Sequence, residues 1–582
     1  MTGQDDVGRP SHALAADLDR FLGDPRAESG PFSFADIVAY EERDALPPEA
    51  VELLRSWGFA RYLVPEAFGG GLRNLEQLFL LTRVLARRNL TVSVMFGSAL
   101  LGVNSVWLWG DEEQRERVAR GLLDDGALAC FAVSEPDHGS DLGTNETVAV
   151  PDGDGYLLTG EKWPVGNATR GRFVTVYANV EGTGSSLMLL DKSQLQDGSW
   201  ENRPFVRTVG LRGHDLSGIS FDGTRIPGGC LLGRPGGGLA GILQVLQITR
   251  TAIGALSVGT MDSVVRIALR YARERVLYGG EIYRIPVIRR HLVRAHLDLL
   301  IAECTALPVT RALSVAPSRL SLWSSVVKYL VPTLGEEVVA ETGRVLGARG
   351  YLREEVDSGI FQKLQRDHAI ASIFEGTTHV NLHGIASQLH TVAQVADRPA
   401  REGNTVLRDL FDDAREAPVW QPSGRALRLT NATEDEITRG WEPAVARARL
   451  IAGRELPPAE AGALTKVLDQ LSLLRGGFYA RIAAGGLDAT TAEAQDAAAE
   501  HCLYHAAASC LYTWLYSFEE ERTTSAGTAW LVLVLQRLLS RLGQPTEPDE
   551  ALLGPVEELM LACVDGPEHF SVRAIRSACR TA

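Results

Sequence analysis

The sequence has no excess of positive charge. Lys and Arg number 58 against 73 Asp and Glu, which gives the 582-residue chain a formal net charge of -15. This charge would repel a phosphate backbone, and no basic stripe interleaved with aromatic residues is visible. We therefore expect no nucleic-acid partner.

Cysteine pairs are missing as well. The seven cysteines are scattered, odd in number and without CxxC spacing, as suits reduced thiols in a cytosol. The acidic N-terminal stretch has no apolar segment of the kind found in export signals. These absences predict a cytoplasmic protein.

Long uncharged runs are scarce, and residues 91–110 form the one that approaches the length of a membrane span. This run contains the polar side chains Ser93, Ser98, Asn104 and Ser105, and no second span accompanies it. A helix buried inside a large helical domain explains the pattern better than a membrane helix does. We expect no transmembrane segment.

What is present is an ordered change of pattern along the chain. Helical spacing prevails in residues 1–126, short β-branched runs between Gly, Asp and Asn turns in 127–236, and long helical segments in 237–395 and 396–582. The pattern predicts an α+β protein, mostly α, with an N-terminal helical domain, a small middle β domain, a C-terminal four-helix bundle and an extra helical extension. The bundle helices are expected near 239–277, 286–315, 318–345 and 378–394.

Residues 366–377 (RDHAIASIFEGT) place one carboxylate, Glu375, after an apolar run. Gly376 allows a sharp turn, and Thr377 or Thr378 can cap the helix that follows. Partial burial favours the neutral carboxyl, whereas a helix N-terminus favours the charged form, so the basicity of this group is tunable, as a general base requires. A solvated turn is the alternative. The apolar residues expected to face a core are Ile370, Ala371, Ile373 and Phe374.

Several ordered motifs together resemble the acyl-CoA dehydrogenase family over roughly residues 50–390. Each motif alone is a weak signal, but chance would rarely produce the ordered set. The motifs are VPEAFGG (64–70), CFAVSEPDHGSD (130–141), GEKWPVGNATRG (160–171), GLRGHDLSGISFDGTRIP (210–227), ARERVLYG (272–279), LGARGY (346–351) and RDHAIASIFEGT (366–377).

The resemblance implies an FAD flavoprotein that oxidises the Cα–Cβ bond of an acyl thioester to a trans-2-enoyl thioester, with electron-transfer flavoprotein as electron acceptor. The thioester carrier, coenzyme A or acyl-carrier protein, stays open. Glu375 matches the family's catalytic base, and its backbone N–H would hold the thioester oxygen together with a flavin hydroxyl. The other position used for a base in the family is Thr249 here, before Arg250.

The resemblance also assigns binding residues. Residues matching the family's cofactor contacts are Phe131, Val133, Ser134, Ser140, Pro164, Val165, Gly166, Thr377 and His379. Residues matching segments that reach the adenosine half of FAD in a neighbouring subunit are Arg275, Tyr278, Gly347 and Ala348. Substrate contacts are expected at Ser140, Gln247, Arg250 and Gly376. A homo-oligomer follows, and we expect a homodimer whose extension covers a surface that simpler members bury in a tetramer.

The flavin-facing motif departs from the family. Where the family usually has an aromatic residue, Ile, Thr and Asn, this chain has Pro164, Val165, Gly166 and Asn167, and Trp163 lies one residue earlier. The stacking ring and the hydroxyl toward flavin N5 are absent from these positions. Pro286 likewise replaces a glutamine found in many members.

These departures leave two other functions open. One is an oxygen-using flavoenzyme on the same fold, an oxidase or a hydroxylase. The other is a non-catalytic partner subunit that uses its C-terminal helices as an interaction surface.

Three weaker patterns have plainer explanations. Gly236, Gly238 and Gly241 spell GxGxxG, but the helical sequence downstream favours a hinge over a dinucleotide-binding βαβ unit. His501 and His505 share a helix face without a third ligand at recognisable spacing, so we predict no metal site. Two basic residues in matched motifs are expected in structural ion pairs, Lys162 and Arg212.

Overall fold

The computed structural model describes residues 10–398, 404–517, 527–546, 548–564, 566 and 569–573. The chain forms two compact units. The first contains the residues up to Ala252 together with two later segments, Glu375–Thr377 and Pro418–Leu429. The second contains Ile253–Phe374, Thr378–Ala417 and the residues from Thr430 onward. The four domain boundaries drawn from the sequence stay a prediction.

The first unit begins with six helices, several of which have starts fixed by capping side chains. Asn74 and Asn89 accept hydrogen bonds from first-turn amides of α4 and α5, and Asp111 forms a capping box with Gln114 at α6. The helices are α1 (Ser11–Leu22), α2 (Phe34–Glu41), α3 (Pro48–Trp57), α4 (Leu75–Ala86), α5 (Leu90–Trp109) and α6 (Glu112–Leu123).

A mixed sheet follows in the first unit. Its order is β6-β7-β3-β2-β4-β5-β8, with β1 parallel to β4, and its core includes Val165, Val174, Met188 and Ile219. The strands are β1 (Leu128–Ala132), β2 (Val148–Asp152), β3 (Gly155–Gly166), β4 (Gly171–Val180), β5 (Gly184–Asp191), β6 (Trp200–Asn202), β7 (Leu216–Pro227) and β8 (Leu231–Leu232).

The glycine cluster after the sheet serves close packing. Helix α7 (Gly238–Glu274) starts against β5, where a Cβ on Gly238 would lie 2.8 Å from the backbone of Ser186. The helix leads into an antiparallel pair, β9 (Val276–Leu277) and β10 (Gly280–Glu281), so no parallel strand follows as a βαβ unit requires. The dinucleotide-binding alternative is therefore wrong.

The second unit is helical apart from the β9–β10 pair in its described residues. Helix α8 packs along α9, α11 packs on α9, and α16 packs on both α8 and α11. The predicted fold class is confirmed. The remaining helices are α8 (Pro286–Val315), α9 (Leu320–Leu346), α10 (Ile360–His368), α11 (Thr378–Val395), α12 (Val406–Phe411), α13 (Glu436–Arg439), α14 (Trp441–Glu455), α15 (Pro458–Ala483), α16 (Ala492–Leu515), α17 (Ala529–Arg541) and α18 (Glu550–Val564).

Two helices of the described residues, α5 and α7, are long and apolar enough to cross a membrane. Within the protein, however, 83% and 94% of their most apolar windows are buried. The interpretation of residues 91–110 as a buried core helix is confirmed.

A buried ion pair joins the end of β1 to β3. Lys162 Nζ lies 2.8 Å from Glu135 Oε1 and donates to the Val133 carbonyl at 3.0 Å. Burial alone would raise the pKa of Glu135, but hydrogen bonds from the Glu146 amide, Lys162 and Thr147 lower it to about 2. Burial lowers the pKa of Lys162 to about 8 against the attraction of Glu135.

The structural ion pairs predicted for two basic residues are thus confirmed. Lys162 pairs with Glu135, and Arg212 Nε lies 2.6 Å from Asp44 Oδ1. Neither cation needs a catalytic role to explain its presence.

Replacing Glu135 by Gln should lower the free energy of unfolding by about 3–5 kcal/mol at pH 7, because it leaves Lys162 buried without its counter-charge. The folded-state pKa of Glu135 lies below the unfolded value, so its stabilisation is complete above about pH 4.3 and is lost as pH falls toward 2. Urea unfolding between pH 2 and 7 measures both effects. Glu146→Gln, at an exposed neighbouring carboxylate, is the control, and equal losses in the two variants would contradict the prediction.

Candidate functional site

Glu375 lies in a strained turn of the first unit, just before α11. Its φ is 57°, a left-handed value that is rare for a side chain other than glycine, and Gly376 follows with φ 106°. The Glu375 residue is half-buried and its Oε2 atom is buried. Helix α11 begins at Thr378, which places Thr377 at the N-cap position. The turn therefore holds a shielded carboxylate near a helix start.

Arg250 of α7 fixes this turn through the backbone. Its Nε donates to the Glu375 carbonyl at 2.9 Å, and the residue is only 8% exposed. Burial lowers the pKa of Arg250 to about 10, an effect that the Glu375 charge opposes. The guanidinium is thus still protonated at neutral pH and places a positive charge beside the Glu375 turn.

The apolar run before the turn differs in one residue from the prediction. Ala371 is buried and Ile370 and Phe374 are half-buried, but Ile373 is 56% exposed. The prediction for Ile373 was wrong because residues 369–372 form a 3-10 turn, which changes the direction of successive side chains from that of an α-helix.

Gln247 and Gln244, on the first part of α7, bind a segment from much later in the chain. Gln247 Nε2 donates to the Arg428 carbonyl at 2.7 Å, and Gln244 Nε2 donates to the carbonyls of Gly424 (3.1 Å) and Leu427 (2.8 Å). Gln247 is 3% exposed, and its Oε1 has no hydrogen-bond partner among the described residues. An unsatisfied buried acceptor of this kind is available to a ligand donor.

The residues expected at the flavin edge lie at the end of β1. Phe131 and Ser134 are half-buried, Val133 is buried, and Ser140 is exposed in the turn beyond. The Ser134 carbonyl accepts from the Trp163 amide at 2.9 Å, which ties the end of β1 to β3. The strand end is therefore rigid but partly open to a ligand.

On β3, Val165 is buried in the sheet core, whereas Pro164 is exposed and Gly166 is half-buried. A Cβ on Gly166 would lie 2.7 Å from Ser98 Oγ of α5 and 3.1 Å from His214 Nε2. A threonine side chain, usual in the family at this position, would clash here. The glycine at position 166 therefore agrees with the close packing of Ser98 and His214 around it.

One face of α5 adds to the same region. Nearly all of this apolar helix is buried, but Gly97, Ser98 and Leu101, which share a face, are half-buried. Ser98 adjoins Gly166 at the end of β3, and α5 also packs on β1. The half-buried residues of these elements are mostly small or apolar, which fits a flat aromatic ring such as the isoalloxazine of FAD.

The residues expected at the adenosine half of FAD lie in the second unit. Tyr278 is 97% exposed, and Arg275, Gly347 and Ala348 are exposed as well. His379 is also exposed, with its Nδ1 3.3 Å from Gln495 Oε1, while Thr377 is half-buried in the first unit. The structure thus groups Glu375, Gly376, Thr377, Gln247 and Arg250 with the β-domain residues in one unit, and the adenosine and His379 positions in the other.

Sequence reasoning missed two features of the first unit. The half-buried face of α5 carries no sequence motif, and it is recognised only because a few residues of an otherwise buried helix are partly exposed in the structure. The segment Pro418–Leu429 has no periodic pattern and reaches α7 across more than 170 positions, and its one glycine of tight packing, Gly424, looks like an ordinary turn residue in the sequence.

Three domain models of acyl-CoA dehydrogenases match the chain. The N-terminal model matches residues 34–125, the middle model 130–224 and the C-terminal model 236–390. With the order of helices, sheet and helices described above, this defines a flavoprotein oxidoreductase acting on CH–CH bonds. The chain belongs to the acyl-CoA dehydrogenase family. The family binds FAD and dehydrogenates acyl thioesters, so the predicted cofactor and reaction class are confirmed at that level.

Curated relatives share about a quarter of their residues with the chain. A probable acyl-CoA dehydrogenase of Mycobacterium tuberculosis is 27% identical over 344 residues, which cover 58% of this chain and 87% of the relative. The very long-chain specific mitochondrial enzyme of Macaca fascicularis is 26% identical over 410 residues, covering 67% of this chain and 61% of the relative.

Solved structures share the fold. An acyl-CoA dehydrogenase from Bacillus anthracis, complexed with FAD, is 18% identical with a TM-score of 0.65 and covers 100% of this chain and 96% of its own. The prolyl acyl carrier protein oxidase AnaB is 20% identical with a TM-score of 0.60, covering 67% of this chain and 100% of its own. The match to the Bacillus anthracis structure includes the C-terminal extension.

Replacing Gly376 by Ala should misplace Glu375, because a side chain at φ 106° costs about 1–3 kcal/mol of strain. We expect kcat to fall by about 10²-fold, the effect of roughly 1 Å of misplacement at a reacting group. Steady-state kinetics with an acyl thioester measures it. The matched control is Gly543→Ala, which imposes similar strain at φ 79° in an open surface turn, and a similar loss there would contradict the prediction.

Proposed function

We propose that this protein catalyses α,β-dehydrogenation of an acyl thioester to the trans-2-enoyl thioester, with Glu375 as the general base. The observation that supports it is the turn of Glu375, where a half-buried carboxylate at a helix start is attached to a peptide held by Arg250. A base needs a fixed direction and a tunable proton affinity, and this turn supplies both.

In the proposed mechanism the Glu375 carboxylate removes the α-proton of the thioester. Arg250 holds the peptide of that carboxylate through its Nε and places a positive charge beside the turn. The backbone N–H of Glu375 stabilises the charge that develops on the thioester oxygen. A bound FAD would be held beside the ends of β1 and β3 and would supply the hydride-accepting chemistry for the β-hydrogen.

The proposed substrate contacts follow from the same surface. Arg250 and Gly376 adjoin the base, Ser140 lies in an exposed turn suited to the polar carrier, and Gln247 has a buried acceptor oxygen. The half-buried α5 face offers an apolar lining for the acyl chain. Coenzyme A and an acyl-carrier protein are both candidate carriers, because Arg250, Gly376 and Gln247 lie toward the acyl and thioester groups that the two carriers share and Ser140 does not discriminate between them.

We further propose a cytoplasmic homodimer that passes electrons to electron-transfer flavoprotein. Large apolar side chains stand exposed in the second unit around the expected adenosine contacts, which supports a subunit interface. They include Val276 (61%), Tyr278 (97%) and Tyr351 (90%).

Replacing Glu375 by Gln should leave FAD bound and abolish proton abstraction, with kcat reduced by at least about 10²- to 10⁴-fold, the usual contribution of a general base. Loss of flavin absorbance under anaerobic conditions and exchange of α-deuterium into solvent are the measurements. Glu116→Gln, at an exposed carboxylate of α6, is the control. Substantial turnover in the Glu375 variant, or a wild-type protein that takes up no FAD, would contradict the proposal.

A second candidate function is an oxygen-using flavoenzyme on the same fold. The specific observation is the β3 edge, where Pro164 has no N–H and Gly166 no side chain, so the surface beside the expected flavin lacks the family's hydroxyl. Burial lowers the pKa of His214 to about 4, so the imidazole beside Gly166 is neutral at pH 7. The fold likeness to an acyl carrier protein oxidase adds modest support.

Mixing the substrate-reduced enzyme with air-saturated buffer separates the two functions. As a dehydrogenase, the protein should reoxidise slowly in air and rapidly with electron-transfer flavoprotein. Fast reoxidation with release of hydrogen peroxide would favour the oxidase.

A further inference from the structure

Residues Pro418–Leu429, which we call the strap, belong by sequence to the C-terminal extension. By packing, however, they belong to the first unit, together with the Glu375 turn. The strap is not helical apart from a single 3-10 turn at Gly424–Ala426. Its carbonyls are therefore available to other parts of the chain.

The strap contacts the segment before α4 and the end of α5. The Trp420 amide donates to the Arg73 carbonyl at 2.6 Å. A Cβ on Gly424 would lie 2.1 Å from the ring of Trp109, and a Cβ on Gly241 of α7 would lie 3.6 Å from Nε1 of the same ring. The indole thus lies between the strap and the start of α7, and only glycine fits at position 424.

Side chains of α7 then bind the strap through its backbone. Gln244 donates to the Gly424 and Leu427 carbonyls, and one turn later Gln247 donates to the Arg428 carbonyl. Gln247 is almost fully buried, so breaking its bond would leave a second polar group unsatisfied. These bonds fix the rotation of this part of α7.

Arg250 follows Gln247 by three residues, so it lies on a neighbouring part of the same helix face. Its Nε holds the Glu375 carbonyl at 2.9 Å. The strap is therefore linked to the Glu375 turn by hydrogen bonds at both ends, through Gln244 and Gln247 on one side and Arg250 on the other, with the backbone of α7 connecting them within the first unit.

We propose that the strap is a positioning element of the active site: by holding α7 through Gln244 and Gln247, it sets Arg250 and thereby the direction of the Glu375 carboxylate. The extension then contributes to catalysis without contacting substrate. This inference rests on the proposed role of Glu375 as the base.

The test displaces the strap without touching the base. Gly424→Ala puts a methyl group into the Trp109 ring, whereas the control Gly453→Ala places one in open space on α14 of the same extension. In holoenzyme, we expect kcat to fall between about tenfold and 10²-fold in Gly424→Ala, with KM and FAD content close to wild type, and no change in the control. The pH dependence of kcat should shift as well, because Arg250 no longer adjoins the base in the same way.

Hydrogen exchange gives a readout that does not depend on activity. Amides of residues 372–378 should exchange faster in Gly424→Ala than in wild type or the control. Because Gly424→Ala could fail to fold, Gln244→Ala provides a second, milder displacement, with Gln470→Ala at an exposed glutamine as its control. It should reproduce the faster exchange and a smaller fall in kcat.

Unchanged exchange at 372–378 together with unchanged kcat in the folded strap variants would overturn the inference. Equal losses in kcat and FAD content would also overturn it, because they would indicate general destabilisation. Failure of the proposed function is distinguishable: wild-type protein would then show no flavin reduction by acyl thioesters, whereas the exchange comparison would still report whether the strap holds the Glu375 turn.

Discussion

The bond from Arg250 Nε to the Glu375 carbonyl is the constraint on which the site depends. It acts on the peptide rather than on the carboxylate, so it fixes the direction of Glu375 through its backbone. The left-handed conformation of Glu375 costs about 1–3 kcal/mol, and a charge-assisted hydrogen bond to its carbonyl is of a size that offsets such a cost. A flexible glutamate would lose conformational entropy each time it became ordered for catalysis, and the fixed turn avoids this loss.

A buried cation that donates to a backbone carbonyl also occurs at two other segments named above or close to them in sequence. Lys162 donates to the Val133 carbonyl at the end of β1, and Lys328 donates to the Ala371 carbonyl shortly before the Glu375 turn, at 3.0 and 2.6 Å. Both lysines and Arg250 are nearly or fully buried. Burying a cation costs free energy, and the lowered pKa values of Arg250 and Lys162 reflect that cost. Holding these backbone segments with buried cations therefore lowers the stability of the folded protein. What is gained is a rigid backbone on the segments expected to meet flavin and substrate.

The sequence predicted the elements better than their connections. A helix expected near 286–315 coincides with α8, and the segment expected near 378–394 is α11 (Thr378–Val395), because both have strong apolar periodicity and clear ends. The Glu375 turn was also predictable, since Glu-Gly-Thr interrupts an apolar run. Ile373 was misplaced because a 3-10 turn leaves no distinct mark in composition.

The long-range contacts were beyond prediction for a physical reason. Arg250, Lys162, Gln244 and Gln247 all bind backbone carbonyls, and every residue has a carbonyl, so the accepting positions carry no chemical signature. Only Gly424 could have hinted at the strap, through the close approach of Trp109. Even so, a glycine beside a serine and a proline is typical of any turn.

We predict that the C-terminal extension covers a surface that simpler family members bury in a tetramer, and a covering role would explain the apolar faces of its helices. It does not account for the division of the extension, since Pro418–Leu429 packs with the first unit and the chain from Thr430 onward with the second. A simple cover has no need to thread a non-helical segment onto the face of α7 that carries Arg250. The absence of helix in the strap is itself informative, because a helix would use its own carbonyls internally and leave none for Gln244 and Gln247. The extended conformation is therefore what allows this part of the chain to bind α7 at all.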